Sequence, residues 1–323
     1  MRVAVLGGSG FLGRHVLAAL GDDAVAICRR PEVLDGVEAR RADLVTGDGL
    51  VDALAGCGAV IHAAGAVSHD PRDSRAQYEA HVVGTERALA AAEQAGVSRF
   101  VHLSSSGTIA VSEHPEELDE RAPRPLALTR SWPYYRAKLF AEDAVLAHEG
   151  TLSTVILNPS LLLGPPADAS DRAARGAAAD VLRPLLEGRL PMAPSGGIGF
   201  VDVRDVARVA VRALRHGHPA RRYLLSGANW TFADFYARAA RAAGVSAPGG
   251  RTPRFASRLF GMLPGVAKER LPASPLELEM ASHYWWADCT RARAELDFRP
   301  TEPLTTLAEA VAVTRRVLDD ERD

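Results

Sequence analysis

Lysine is nearly absent from this chain: of 38 basic residues only Lys138 and Lys268 are lysines, the other 36 being arginines. Arginine enrichment of this kind follows high-GC codon usage, so a lysine that is kept invites inspection. Aromatic residues are scarce at 6%, and cysteine is limited to Cys28, Cys57 and Cys289, with no CxxC pair. An odd, scattered set argues against a disulfide framework or a zinc site and reads as reduced, buried thiols. Neither charge dominates: 38 basic against 40 acidic residues leave a net −2, which gives no footprint for nucleic acid and no acidic tail. No apolar run approaches the roughly 18 residues that would cross a bilayer. The opening MRVAVLGGSG enters a strand at once and leaves no room for a signal peptide. The expected compartment is the cytoplasm, with no membrane span, no nucleic-acid partner and no metal.

What is present suits a globular protein with a large core: 323 residues, 47% hydrophobic and 24% charged. Short β-branched runs alternate with amphipathic stretches. Strands are predicted at 2–6, 24–28, 59–65, 99–106 and 153–159, with helices after the first strand, near 47–55, over 74–95 and over 134–149. This order predicts an α/β fold, a Rossmann-type doubly wound parallel sheet with helices on both faces. Right-handed crossovers then place every strand's C-terminal end on one edge, where such sheets bind ligands. We expect a dinucleotide-binding domain over 1–164, rejoined by about 200–226. A smaller, mostly helical substrate lobe is expected from 165–199 and 227–323.

GGSGFLG sets Gly7, Gly10 and Gly13 three residues apart, between the first strand and the first helix. With 28 glycines such a string arises by chance in roughly one chain in five, so its context carries the argument. There glycine permits a tight turn and close approach of a pyrophosphate, with a helix N-terminus facing the anion. A structural turn is the plainer alternative. Candidate cofactor contacts here are Gly7, Ser9, Gly10, Phe11, Leu12 and Gly13. NAD-binding folds end the second strand in a carboxylate for the ribose 2′-hydroxyl. This strand instead ends Cys28-Arg29-Arg30, with no carboxylate before Glu32. Arg29 and Arg30 suit a 2′-phosphate by charge and fork geometry, so NADP(H) is expected in preference to NAD(H). Solvated strand-end charges are the competing account. Asp43, followed by Leu44, either reaches the adenine amino group or serves as a surface turn residue.

Tyr134 and Lys138 in PYYRAK stand four residues apart, on one helix face. With six tyrosines and two lysines, YxxxK arises by chance in roughly 4% of such chains. A tyrosine pKa of about 10 leaves the phenol protonated, and bringing it to about 7 requires roughly 4 kcal/mol of phenolate stabilisation. A nearby ammonium is the right kind of charge to provide it. Ser104, Ser105 and Ser106 end a strand at the same edge, where a hydroxyl can steady a developing oxyanion. A local strand-end cap is the alternative for each of them.

With glycine loop, serine strand-end and YxxxK in order, the chain resembles the extended short-chain dehydrogenase/reductase family. The likeness runs through the HAAG loop at 62–65, HVVGT at 81–85, SSSGT at 104–108, NPSLLLGP at 158–165, FVDVRDVA at 200–207 and RARAELDFRP near the end. It implies Ser105, Tyr134 and Lys138 as the catalytic set. It further implies Ala63, Ala64, Gly65, Ser104, Pro159 and Ser160 as cofactor contacts, together with Tyr134 and Lys138. Nucleotide-sugar epimerases and dehydratases of this family usually carry an arginine and an asparagine where Ile198 and Leu161 stand here. The loop PSLLLGP instead looks like that of dihydroflavonol reductases and 3β-hydroxysteroid dehydrogenases. His81 stands where the family commonly has asparagine. The resemblance implies a reductase that uses NADPH on the carbonyl of a hydrophobic small molecule. An epimerase or dehydratase, an oxidative hydroxysteroid-type dehydrogenase and a non-catalytic NADP(H) sensor are the alternatives. Apolar residues of the lobe, including Phe255, Leu259, Phe260, Tyr284, Trp285 and Trp286, are candidate substrate material. RFASRLFGMLPGV is a candidate interfacial helix, and the helices at 74–95 and 134–149 are candidates for a homodimer interface.

Overall fold

Side-chain alternation in the first strand decides the layering. In β1 (Val3–Leu6), Val3 and Val5 pack into one core while Ala4 and Leu6 pack into another, on the opposite face of the sheet. Period-two alternation with both sets apolar is the signature of a strand buried on both sides. The computed structural model describes residues 1–168, 174–253 and 274–322. With β1, its larger sheet comprises β2 (Ala24–Cys28), β3 (Ala39–Arg41), β4 (Ala59–His62), β5 (Arg99–Leu103), β6 (Ser153–Pro159) and β9 (Arg221–Leu225). These seven strands stand in the order β3-β2-β1-β4-β5-β6-β9, and every neighbouring pair is parallel.

One face is covered by α1 (Phe11–Leu20) and α8 (Val203–His216), whose Val16, Val206, Val209 and Ala210 join Val3 and Val5. The other face is covered by α2 (Leu50–Leu54) and α4 (Gly84–Gln94), through Leu50, Leu54, Ala88 and Leu89. These layers make the expected α/β sheet. A second, three-stranded sheet joins β7 (Leu161–Leu163), β8 (Gly197–Asp202) and β10 (Ala228–Thr231). Its core adds Leu182, Leu185, Phe200, Phe235 and Leu307 from α7 (Ala174–Leu186), β8, α9 (Phe232–Ala243) and the helix Pro303–Asp320.

Details differ from the sequence expectation. Residues 228–231 form a strand rather than the start of a helical stretch, because their backbone pairs antiparallel with β8. The helix over 74–95 is interrupted: α3 (Ser74–Tyr78) passes through a π-helical turn at Glu79–Val83 before α4. RFASRLFGMLPGV, with Phe255, Leu259 and Phe260, lies outside the described residues. Among the described residues no helix is long and apolar enough to cross a membrane.

The sheet carries a thermodynamic liability. His62 and His102 are both buried on neighbouring strands with ring centroids 5.3 Å apart, and neither ring nitrogen of His102 has a hydrogen-bond partner among the described residues. Burial pushes His62 down to about 3, and it moves His102 down as well. Folding thus favours the neutral rings. The stabilisation is complete above an unfolded-state pKa of about 6.5 and is lost as pH falls below it. Protonating the His62 ring should cost about 2 kcal/mol between pH 6.5 and 5, and His102 adds to the loss in the same direction. Urea unfolding across that range should show falling stability, with a shallower decline in His102→Leu; parallel declines in the two proteins would acquit His102.

Candidate active site

The strand-end edge is built first by glycine. Gly7 has φ +82°, and a Cβ placed there would lie 2.6 Å from Ala64 Cα, so the loop after β1 sits directly on the loop after β4. A Cβ at Gly13 would lie 2.1 Å from the Gly7 carbonyl oxygen, and one at Gly10 would lie 3.3 Å from it. Between them the three glycines form a cradle with backbone walls. Gly10 caps α1 without a side-chain hydrogen bond, and the first turn of α1 holds no acidic residue. That uncapped N-terminus suits a pyrophosphate. Arg29 and Arg30 are exposed just beyond β2. Arg14, on α1, donates to the Val33 carbonyl at 2.8 Å and so braces the segment that follows them. Asp43 accepts the Val45 amide at 2.7 Å, a local turn that takes up one of its carboxylate oxygens. These features fit a dinucleotide, whose pyrophosphate the glycine cradle would hold.

The serine run is sorted by burial. Ser104 and Ser106 are buried, whereas Ser105 is half-exposed. Ser104 turns inward and donates to Glu142 Oε1 at 2.5 Å. Ser105 Oγ accepts the Gly107 amide at 3.3 Å, a strand-end cap that leaves its own proton free to donate. Pro159 and Ser160 are buried at the end of β6, and Ser160 donates to the Leu225 carbonyl at 3.1 Å rather than outward.

Tyr134 and Lys138 share a face of α6 (Pro133–Leu146). Pro133 occupies the first turn, where its missing N–H costs nothing. Tyr134 also stands in this turn, where the aligned amides favour negative charge. Its half-buried ring meets three others nearly edge-on: His81 at 5.4 Å and 78°, His69 at 6.0 Å and 89°, and Tyr135 at 5.0 Å and 77°. Burial raises the phenol above its ordinary range. The Lys138 ammonium is buried and donates to the Leu103 carbonyl at 2.8 Å. Burial brings it down to about 8, with Glu142 opposing the shift. Burial is the cause acting on Tyr134, so the acidification expected from Lys138 does not emerge, and the phenol stays protonated.

Two residues that the sequence reading noticed, His81 and Trp285, gain a place here, and two others, Glu142 and Asn158, escaped it. His81 lies within the π-helical turn, donates to the Ala66 carbonyl through Nε2 at 2.8 Å, and packs where a Gly65 Cβ would be, 2.2 Å from its Cε1. A π-turn in an α-helix re-aims a side chain, and here it turns the imidazole onto Tyr134. Trp285 stacks obliquely on Tyr135 at 4.9 Å, and both rings close over Gly107. Glu142 and Asn158 bind the serine turn from below. The only signal for Glu142 in the sequence is its place four residues after Lys138 on the same helix face.

A family model described as "NAD dependent epimerase/dehydratase family" matches residues 3–225. A Synechocystis protein provisionally named dihydroflavonol 4-reductase is 29% identical over 324 residues, covering 95% of this chain and 92% of that protein. The 4-hydroxy-2-methyl-3-oxo-4-farnesyl-3,4-dihydroquinoline-1-oxide ketoreductase of Stigmatella aurantiaca is 35% identical over 173 residues, about half of each protein (51% and 51%). In three dimensions the chain is similar to the crystal structure of gox2253, with TM-score 0.82 and 24% identity over 98% of both chains. That last likeness concerns the fold alone.

Gly13→Ala tests the cradle. With a Cβ driven into the Gly7 carbonyl, dinucleotide affinity measured by calorimetry should fall at least tenfold, about 1.4 kcal/mol. Unchanged affinity in a folded variant would remove this loop from the binding site.

Proposed function

Since the chain belongs to the NAD dependent epimerase/dehydratase family, and is an NAD(P)-dependent oxidoreductase of the short-chain dehydrogenase/reductase type, we propose that it uses NADPH to reduce a ketone or aldehyde of a hydrophobic small molecule. The observation that carries this reading is the phenol of Tyr134, kept protonated by burial and set on the same helix face as the buried ammonium of Lys138. The dinucleotide, when bound, supplies hydride to the carbonyl carbon. Tyr134 then gives its proton to the carbonyl oxygen, so that C=O becomes CH–OH. Ser105, with its proton free, hydrogen-bonds the oxygen as negative charge develops there. Lys138 provides positive charge beneath the phenol and offsets the charge left when the proton departs.

The preference for NADPH is supported by the exposed pair Arg29 and Arg30, which stand where a carboxylate would select NADH. An apolar substrate is supported by Ile198, buried in the core of the second sheet, and by the half-buried Leu161. Neither offers a polar contact to a nucleotide diphosphate. The rings of His69, Tyr135 and Trp285 add an aromatic border beside Tyr134. The Stigmatella relative, named as a ketoreductase, points to the same reaction. Three free, buried cysteines agree with a reducing cytoplasm.

Tyr134→Phe should cut turnover by orders of magnitude while dinucleotide affinity stays near normal, measured by absorbance and calorimetry over a panel of ketones, aldehydes and nucleotide sugars. Near-normal turnover in that variant, a preference for NADH, or tight binding of a UDP- or dTDP-sugar would overturn the corresponding part of the reading. Exposed Tyr78 on α3, with Phe140 and Leu146 on α6, supports a homodimer. Sedimentation should give twice the chain mass for the wild type and the single-chain mass for Phe140→Glu; a monomeric wild type would refute it.

A further inference from the structure

Beneath the serine turn lies a carboxylate that no step above uses. Glu142 is fully buried on α6, one turn beyond Lys138. Three donors converge on its Oε1: Ser104 Oγ at 2.5 Å, Thr108 Oγ1 at 2.6 Å and Asn158 Nδ2 at 2.6 Å. Ser104 and Thr108 flank Ser105 on either side, and Asn158 Nδ2 also reaches the Ser105 carbonyl at 3.2 Å. The other oxygen, Oε2, has no hydrogen bond among the described residues and lies 3.8 Å from Arg222 Nη1. Burial pushes the Glu142 carboxyl up, while Ser104, Thr108, Arg222 and Asn158 pull it back down; three donors on one oxygen favour the anion over the neutral acid.

From this arrangement we propose that Glu142 is a positioning residue with two tasks: it fixes the turn that carries Ser105 to the helix that carries Tyr134 and Lys138, and its carboxylate is the counter-charge that keeps the buried Lys138 ammonium charged. The inference rests on reading Ser105, Tyr134 and Lys138 as the reacting set.

The surroundings of Lys138 single out Glu142. From β4 and β5 His62 and His102 feel the ammonium, from the π-helical turn His81 does, and on its own helix Tyr134 and Glu142 stand one turn to either side of Lys138. The three imidazoles are held neutral by burial, and the phenol is held protonated. Glu142 is the acidic group acting on Lys138 among the described residues, and it favours the ammonium. A lysine without such a partner gives up its proton when buried.

The two lysines of the chain make a direct test possible. With lysine labelled by nitrogen-15, NMR gives two Nζ titrations, and Lys268→Arg assigns them. Lys138 should titrate near 8 in the wild type. In Glu142→Gln, which keeps the shape and an accepting oxygen, it should titrate at least about one pH unit lower. Turnover of that variant at pH 7.5 should fall at least about tenfold with KM within about twofold, as expected when a charge is lost and not a substrate contact. Thr108→Val, which removes one donor and no charge, should lower turnover and leave the Lys138 titration in place. A folded Glu142→Gln protein in which Lys138 titrates as in the wild type would overturn the counter-charge task, and full turnover in Thr108→Val would overturn the positioning task. If the wild type reduces no carbonyl compound and the Lys138 titration still moves, the substrate reading fails while the counter-charge stands.

Discussion

A sheet whose strands all run one way has a single edge where they all end, and the residues proposed for the chemistry of this protein gather at that edge. The loops after β1, β4, β5 and β6 meet there because parallel pairing aligns their starting points. Little room is left between them. Gly7 lies on Ala64, His81 lies on Gly65, and Asn158 at the end of β6 reaches the Ser105 carbonyl after β5. Each loop is therefore held by its neighbour as well as by its own strand. Rigid elements, rather than the loops themselves, set where the reactive groups stand.

The features legible in the sequence are those that a short stretch of chain determines by itself. Gly7, Gly10 and Gly13 announce a turn because nothing larger fits, and the spacing of Tyr134 and Lys138 fixes their shared face whatever surrounds the helix. Five strands of the larger sheet were legible for the same reason, since stretches such as VAVL and AVAIC are apolar at every position, whereas β3, with the sequence Ala-Arg-Arg, was not. The second sheet was hidden. Its β7 has three residues, too few for any periodicity, and β10 owes its strand form to pairing with β8. The same limit hid Glu142. That Glu142 turns inward, and that Ser104 and Thr108 turn toward it, depends on residues distant in sequence. The three serines look alike as letters, and tertiary burial alone separates Ser105 from its neighbours.

Burial works in opposite directions on the groups of this edge. It strips charge from His62, His81 and His102 and keeps the proton on Tyr134. It also weakens the ammonium of Lys138, although a carboxylate opposes that loss. The result is a pocket floor with few full charges, in which one cation and one anion are fixed by hydrogen bonds. In a setting of low dielectric such fixed charges act more strongly on a nearby reacting group than they would in water.

The contact of Trp285 with Tyr135 over Gly107 joins stretches made far apart in time. As a nascent chain leaves the ribosome, the glycine cradle and the α6 helix emerge first, while the indole that closes over them emerges near the end. Domains fold as they are synthesised, N-terminal parts first. The core beneath β1 likewise takes in Cys289, Leu296 and Phe298, so both the aromatic border beside Tyr134 and the floor of the sheet are finished only once the last stretch of chain has been made.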